Sequence, residues 1–329
     1  MITAIVPVWN GRDLLSRLLD TLEAQTLRAG ELLVVDNGST DGAPELARQR
    51  GARVIAMGRN AGFAAAVNRA IREARGDRIA VLNTDVELAP DYFAILADAE
   101  GWFATGKILR QGGSRGFRSP RIDGTFDAMC RGGTAWRVGS GRLDGPMFSD
   151  PCAITSPPWT AVLFRAELFQ RIGYLEETFE SYLEDVDFGL RSAAHGLTGL
   201  YVPAAVAWHR GSATLGQWHP ETIRRIARNQ IFLVARHYPG RLIFRWWWPI
   251  AVAQLLWGAV AFRHGCGLAW LRGKFQGLRN FGAVRGRNFD PGLPELLRAG
   301  EHTICDLQVS TGFDPYWRWY FLLTGGGAK

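Results

Sequence analysis

The strongest constraint on this chain is an alternation of two hydrophobic periods over its first hundred residues. Residues 2–8 are a short apolar run, and residues 13–25 place Leu14, Leu15, Leu18, Leu19 and Leu22 at helical spacing. The pattern then repeats. Apolar strands read at 31–35, 53–56 and 78–82, separated by helical segments at 43–49 and 62–74. A β-α-β-α-β-α-β order predicts a mostly parallel sheet with helices on both faces, because parallel neighbours need crossover connections. In such open sheets ligands bind at the carboxyl ends of the strands.

Three of the four strand ends carry the same kind of residue. Pro7-Val8-Trp9-Asn10 closes the first, Asp36-Asn37-Gly38-Ser39-Thr40-Asp41 the second, and Asn83-Thr84-Asp85-Val86-Glu87 the fourth. One such cluster is ordinary turn chemistry; three on one edge point to a site. Neither GxxxxGK[ST] nor a GxGxxG after the first strand is present, so a bound phosphate must be neutralised another way. A divalent cation on a strand-end carboxylate would do it, and Asp85 is the candidate. Glu87 could assist or cap the following turn.

Beyond residue 100 the periodicity fades. Residues 101–157 read as short antiparallel strands and a long loop, a candidate lid. Regular structure returns with a strand at 159–164, helices at 166–172 and 184–195, a strand at 200–208 and a helix at 221–237. The cysteines, Cys130, Cys152, Cys266 and Cys305, form no CxxC pair and read as reduced thiols of a cytosolic protein. The first ten residues lack a basic segment and read as a strand, not an export signal.

Six motifs in order resemble the family 2 glycosyltransferases of the GT-A fold. They are Ala4-Ile5-Val6-Pro7-Val8-Trp9-Asn10, Val34 through Asp41, Asn60-Ala61-Gly62-Phe63 with Asn68, Leu82-Asn83-Thr84-Asp85, Tyr182 through Arg191, and Trp208-His209 followed by Gly211-Ser212-Ala213-Thr214. The resemblance covers residues 2–238. It implies a GT-A nucleotide-diphospho-sugar transferase fold, a Rossmann-like mixed α/β sheet, as a catalytic domain over 1–238. It implies that Pro7, Asn10 and Asp36 hold the nucleobase and ribose, that Asn60, Gly62 and Asn83 lie beside the donor, and that Asp85 coordinates Mg2+ or Mn2+. Asn83 stands where the family usually has the first acid of its metal motif, which leaves the number of protein ligands open. His209 is a candidate further ligand. Asp185 is the candidate catalytic base of an inverting displacement, with Glu184 and Asp187 as neighbouring alternatives. Trp159 and Glu184 are read on the acceptor side; for Trp159 the choice is between stacking on a sugar and core packing.

Residues 239–329 differ in character. Nine of the thirteen tryptophans follow Leu200, and residues 246–262 are apolar apart from Gln254. As a helix this run would be about 26 Å long, just short of a hydrocarbon core of about 30 Å. It could span, lie in the interface, or pack as a hairpin in an oligomer contact. The net charge of +7 suits an anionic partner. The basic residues gather beside the apolar, Trp-rich segment, which fits a membrane surface better than nucleic acid. The expectation is a helical, membrane-associating extension, peripheral on the cytoplasmic face, and a lipid-linked glycan acceptor in cell-surface polysaccharide synthesis. Within the family, processive synthases carry Q/RxxRW and several membrane helices. The window from Gln217 to Arg225 is not that motif, so a single sugar addition is expected, and the resemblance offers dTDP-rhamnose as donor. The competing readings are a nucleotidyltransferase, which would need a basic glycine-rich loop after the first strand, and an inactive transferase-like scaffold, which would be expected to lose Asp85 or Asp185.

Overall fold

The computed structural model describes residues 1–112, 118–211, 218–287 and 289–326. In chain order the first elements are β1 (Ile2–Val8), α1 (Arg12–Glu23), β2 (Glu31–Asp36), α2 (Ala43–Gln49), β3 (Arg53–Ala56), α3 (Phe63–Glu73), β4 (Arg78–Leu82), β5 (Val86–Leu88) and α4 (Tyr92–Ala97). Then come β6 (Phe103–Gln111), β7 (Arg118–Gly124), β8 (Asp127–Met129), β9 (Ala135–Arg137), β10 (Cys152–Ile154), β11 (Ala161–Arg165), α5 (Glu167–Ile172), α6 (Glu184–Ala194) and β12 (Gly199–His209). The remainder is helical: α7 (Pro220–His237), α8 (Gly240–Arg245), α9 (Trp247–Arg263), α10 (Gly267–Arg279), α11 (Leu293–Thr311) and α12 (Pro315–Thr324).

The chain divides into two compact units, Met1–Phe126 with Gly139–Thr214, and Asp127–Val138 with Leu215–Lys329. The first is built on a mixed sheet in the order β10-β12-β6-β11-β4-β1-β2-β3, with β5 added to β12 and β7 to β6. Strands β1 to β4 are parallel, as their periods predict. Strand β11 runs antiparallel between β4 and β6, and β12 is parallel to β6, so β1, β2, β4, β6 and β12 all end on one edge. Alternate residues enter opposite faces. Ile5, Leu33, Val35, Ile79 and Val81 meet Ala64, Val67 and Ile71 of α3, while Val6, Val34, Ala80 and Leu82 share a core with Leu15, Leu18 and Leu19 of α1 and Phe93 of α4.

One expectation for this unit is corrected. Residues 103–111, read within a stretch of short antiparallel strands and a long candidate lid loop, form a nine-residue strand in the middle of the sheet. Gly106 and Lys107 hid it. A Cβ at Gly106 would fall 2.0 Å from the Ala205 carbonyl oxygen, so the close approach of two strands needs glycine there. Lys107 is buried, and its Nζ donates to Asp144 at 2.7 Å. The strand tolerates a charge in the interior because that charge is paired.

The second unit joins the β8–β9 hairpin to helices α7–α12. Arg131 reaches Glu301 on α11 from its backbone N–H at 3.0 Å and from Nε at 2.6 Å. Tyr238 Oη donates to the Arg131 carbonyl. Helix α7, placed before the boundary at 238 by the sequence reading, groups with these later helices. Among the described residues no helix is long and apolar enough to cross a membrane.

Candidate active site

The loops after β1 and β2 are laced together by short polar side chains. Asn10, in the left-handed region at φ 58°, donates its backbone N–H to Ser39 Oγ at 2.9 Å, and its Oδ1 accepts from Thr40 N–H at 3.0 Å. Asp36, the last residue of β2, is buried and accepts from Ser39 N–H at 2.8 Å. Pro7 is half-buried beside Val35. Asn37 extends the network, its Nδ2 donating to the Gly62 carbonyl at 3.3 Å. Asn60 is exposed, and its Oδ1 accepts from Gly62 N–H at 3.0 Å. These contacts hold the start of α3 against the end of β2.

Asn83 follows β4 and donates its N–H to the Thr160 carbonyl at 2.9 Å, so its backbone is fixed by the antiparallel neighbour β11. Two residues on, Asp85 Oδ1 lies 3.1 Å from Nε2 of His209, the last residue of β12. The other ring nitrogen, Nδ1, lies 2.8 Å from Asp123 Oδ2 on β7. Burial disfavours charge on Asp85, but the nearby imidazole outweighs it and holds the carboxyl below its ordinary range. Burial likewise opposes charge on His209, and the two carboxylates overcome it, raising the imidazole to about 10. Glu87 is not part of this cluster; its Oε1 accepts from Gln111 Nε2 at 2.6 Å.

Asp123 is the residue that sequence reasoning missed. It lies in the stretch where periodicity fails, and no motif marks it. Its role is legible only in three dimensions. A carboxylate on Nδ1 orients the ring and leaves Nε2 toward Asp85, the arrangement that supports a histidine as a metal ligand. Among the described residues no group of three or more His, Cys, Asp or Glu could hold a metal on its own. One carboxylate and one imidazole nitrogen, backed by Asp123, are donors of the kind a divalent cation takes, and further ligands would have to complete its shell.

Asp185 reaches the same edge by another route. The segment leading to α6 is pinned to α3: Asn68 Nδ2 donates to the Leu175 carbonyl at 2.8 Å, Leu175 N–H donates to Asn68 Oδ1 at 2.9 Å, Phe63 N–H donates to Ser181 Oγ at 3.3 Å, and Ala64 N–H to the Glu180 carbonyl at 3.1 Å. Glu180, Tyr182 and Leu183 then adopt φ of 61°, 72° and 67° before the helix begins. With Asn10 these are all the non-glycine residues with positive φ among those described. Asp185 is buried in the first turn of α6, with Oδ1 accepting from Val186 N–H at 2.9 Å. Glu184 beside it is buried as well. Asp187 is committed elsewhere, accepting from Arg191 Nε at 3.0 Å.

Of the predicted site residues, Pro7, Asn10, Asp36, Asn60, Gly62, Asn83, Asp85, Glu184, Asp185 and His209 share this edge. Trp159 does not present a face to it. The ring is 2% exposed and packs among Phe164, Phe169 and Phe188 at centroid distances of 4.6, 6.2 and 5.1 Å, so its acceptor-stacking role is corrected to core packing. Ser212, Ala213, Thr214 and Gln217 lie outside the described residues. A cavity of about 740 Å³ lined by Arg72, Arg78 and Arg165 opens at the opposite edge, where β4 begins.

The sequence profile of glycosyl transferase family 2 matches residues 3–173, more than half of the chain. The chain belongs to this family. The chain is 28% identical, over 76% of its length and 87% of the relative's, to N-acetylglucosaminyl-diphospho-decaprenol L-rhamnosyltransferase of Mycobacterium tuberculosis. It is 33% identical to an undecaprenyl-phosphate 4-deoxy-4-formamido-L-arabinose transferase of Pseudomonas aeruginosa, over 33% of its length and 35% of the relative's. Among solved structures, GalNAc-T7 with UDP, GalNAc and Mn2+ superposes with a TM-score of 0.59 at 14% identity, covering 86% of this chain and 56% of that one. The mannosyltransferase PcManGT of Pyrobaculum calidifontis, in complex with GDP-Man and Mn2+, gives 0.50 at 17% identity, over 100% and 88%. This family 2 glycosyltransferase thus has the GT-A fold its motifs imply.

Proposed function

We propose that this glycosyltransferase moves one sugar, with inversion, from a nucleoside diphosphate donor to a hydroxyl of a lipid-linked glycan at the membrane surface, and that the sugar is L-rhamnose carried by dTDP. The observation that carries the reading is the gathering of Asp36, Asp85, His209 and Asp185 on one sheet edge. Three carboxylates and an imidazole there divide into a nucleoside end and a transfer end. The extended likeness to a rhamnosyltransferase whose name specifies a diphospho-decaprenol acceptor supports the donor sugar and the acceptor class.

The chemistry follows from the residues. Asp36, at the end of β2, accepts hydrogen bonds from the nucleobase or ribose, and the Asn10 and Asn37 lacing keeps it in place. Asp85 and His209 would hold Mg2+ or Mn2+, which when bound neutralises the diphosphate as it leaves. Asp185 accepts the proton of the acceptor hydroxyl as that oxygen bonds to the anomeric carbon. The bond from that carbon to the donor phosphate oxygen breaks, and the nucleoside diphosphate leaves with its electron pair.

The test is a thermal-shift screen of dTDP, UDP, GDP and CMP and their sugars, with and without Mn2+, followed by transfer assays on a polyprenyl-diphosphate N-acetylglucosamine acceptor. Selective, metal-dependent stabilisation by dTDP-rhamnose together with a rhamnosylated product is expected, since a ligand of the native state raises its stability. Stabilisation by another nucleotide alone would overturn the donor. Transfer only to soluble glycans would overturn the acceptor.

A further inference from the structure

Between Thr222 and Phe289 the chain has twelve Lys and Arg residues and no Asp or Glu, although the net charge of the whole chain is only +7. One helix built from this stretch, α10, is inverted relative to an ordinary amphipathic helix, whose apolar stripe faces the core. On α10, Leu268, Leu271, Phe275 and Leu278 fall at helical spacing on one stripe, and they are 70, 46, 67 and 63% exposed. The opposite side of α10 is glycine and a lysine. A Cβ at Gly273 would lie 2.2 Å from the Arg224 carbonyl oxygen, and one at Gly277 would lie 2.7 Å from Ile231 Cβ, so α10 seats backbone-close on α7. Lys274 is buried between them and donates to Gln230 Oε1 at 2.8 Å and to Gln254 Oε1.

Helix α9, which packs on α10 through the Phe262–Trp270 contact, is apolar on both sides. Pro249, Val252, Ala253, Gln254, Gly258 and Ala261 are inside, and Trp248, Leu255 and Phe262 are exposed. Helix α12 meets the start of α9, where Trp248 Nε1 donates to the Leu323 carbonyl at 2.8 Å. Of 21 large apolar side chains exposed among the described residues, 14 lie from Phe244 to Leu323. Apolar side chains exposed in this number on neighbouring helices mark an interaction surface. Arg241, Arg245, Arg263, Arg272 and Arg279 are exposed on α8, α9 and α10.

We propose that the outer faces of α9, α10 and α12 form a docking surface for an anionic lipid bilayer, lying in the interface and not crossing it. The inference rests on the lipid-linked acceptor proposed above and supplies the surface that meets the lipid. Charge selects this occupant. A two-fold contact between copies would set the face against itself, arginine opposite arginine, with no carboxylate on α8, α9 or α10 to answer them. Anionic headgroups answer every one, and the leucines and aromatics enter the acyl boundary beneath.

The experiment is flotation of the full chain with phosphatidylcholine vesicles, with mixed phosphatidylcholine and phosphatidylglycerol vesicles, and with none. Binding to the mixed vesicles, weaker by about tenfold or more on the neutral ones, is expected. The double variant Leu271→Gln/Phe275→Gln should lose about a hundredfold in partitioning, about tenfold per side chain withdrawn from the apolar phase. Nucleotide-sugar stabilisation is measured on the same preparations and should not change. Its absence from every preparation would count against the catalytic reading and leave the docking result standing. A full chain that ignores anionic vesicles overturns the proposal, and so does a double variant that binds like the parent. Sedimentation as a dimer that the double variant dissolves, with no vesicle binding, would reassign the face to a contact between copies.

Discussion

Gly62 couples the donor edge to the segment that carries Asp185, and its replacement by alanine has a calculable cost. Its backbone sits at φ 89°, ψ 170°, a region populated essentially by glycine. Holding another residue there costs about 1–3 kcal/mol. The new Cβ would also lie 2.8 Å from the Glu180 carbonyl oxygen and 3.2 Å from Glu180 C and Cα, all backbone atoms that cannot swing aside as a side chain can. Relief requires moving a stretch whose φ angles are already left-handed at 180, 182 and 183. Together the two effects place Gly62→Ala at about 2–4 kcal/mol of destabilisation. A control separates them. Gly51 also has positive φ, 78°, but a Cβ there meets nothing within 4 Å, so Gly51→Ala carries the conformational cost alone, about 1–2 kcal/mol. Urea denaturation followed by tryptophan fluorescence measures both, and steady-state transfer kinetics accompany it. Gly62→Ala should lower kcat by at least about tenfold through the displaced base, a loss of about 1.4 kcal/mol in transition-state stabilisation, while Gly51→Ala leaves kcat alone. Equal stability losses in the two variants, with full activity in both, would refute the coupling.

Asp185→Asn should keep donor affinity in calorimetry and lose transfer by about 10²–10⁴-fold, and a parallel loss of donor affinity would remove Asp185 from the role of base. Asp123→Asn should weaken Mn2+ binding in the presence of nucleotide by about 10–100-fold, read by electron paramagnetic resonance, because the carboxylate that orients His209 is gone; unchanged affinity would refute that role. Glu221 is held at about 2, below its ordinary 4.5, chiefly by the hydrogen bond from Arg224 and then by that from Arg225. A depressed carboxyl stabilises the fold above its unfolded value, and this contribution is lost as pH falls from about 4.5 toward 2. The side chain is about a third exposed, so Glu221→Gln should cost under about 1 kcal/mol at pH 7, with a gap in thermal midpoint that narrows toward pH 3; a constant gap would contradict the ion-pair account. Leu183→Gly should relieve a left-handed φ and stabilise the protein by about 1 kcal/mol while lowering turnover. Stabilisation without any loss of turnover would show that the strain does not serve the site.

The legible part of the fold was its regular part. Strands β1 to β4 could be read because they are continuous apolar runs and each ends in Asp, Asn, Gly or Ser, so period and punctuation agree. Strand β6 could not, because its interior charge is neutralised by Asp144, thirty-seven residues further along the chain, and its glycine answers to Ala205 on a strand formed much later. The same distance hid Asp123. Its partner His209 is eighty-six residues away, and one-dimensional spacing carries no trace of the pairing. Trp159 stayed undecided for a different reason. An aromatic before a strand at a ligand-binding edge has the same local signature whether it stacks on a sugar or on Phe164, and only burial separates the two. Helices α9 and α10 lie between these cases. The apolar run of α9 and the basic residues beyond it were visible, but which side of α10 faces outward depends on glycines that read as weak helix formers until they are seen against α7.

On the roles proposed above, these contrasts bear on how the site would divide its work. Asp36 and Asp85 close regular parallel strands, and their surroundings are hydrogen-bonded turns that hold the carboxylates in place without backbone strain of their own. Asp185 instead follows three left-handed residues and is located by contacts from Asn68, Phe63 and Ala64 of α3. Nucleotide recognition needs a fixed cradle, since the same groups meet every donor. A base must approach an acceptor hydroxyl that arrives from outside, and its geometry has to be tuned within tenths of an ångström of the attacking oxygen. With Asp185 as the proposed base, a strained segment clamped to a helix would supply that tuning, the clamp setting where the carboxylate sits. The location of strain among the described residues follows this division: apart from Asn10, which laces the cradle, it is concentrated in the approach to Asp185.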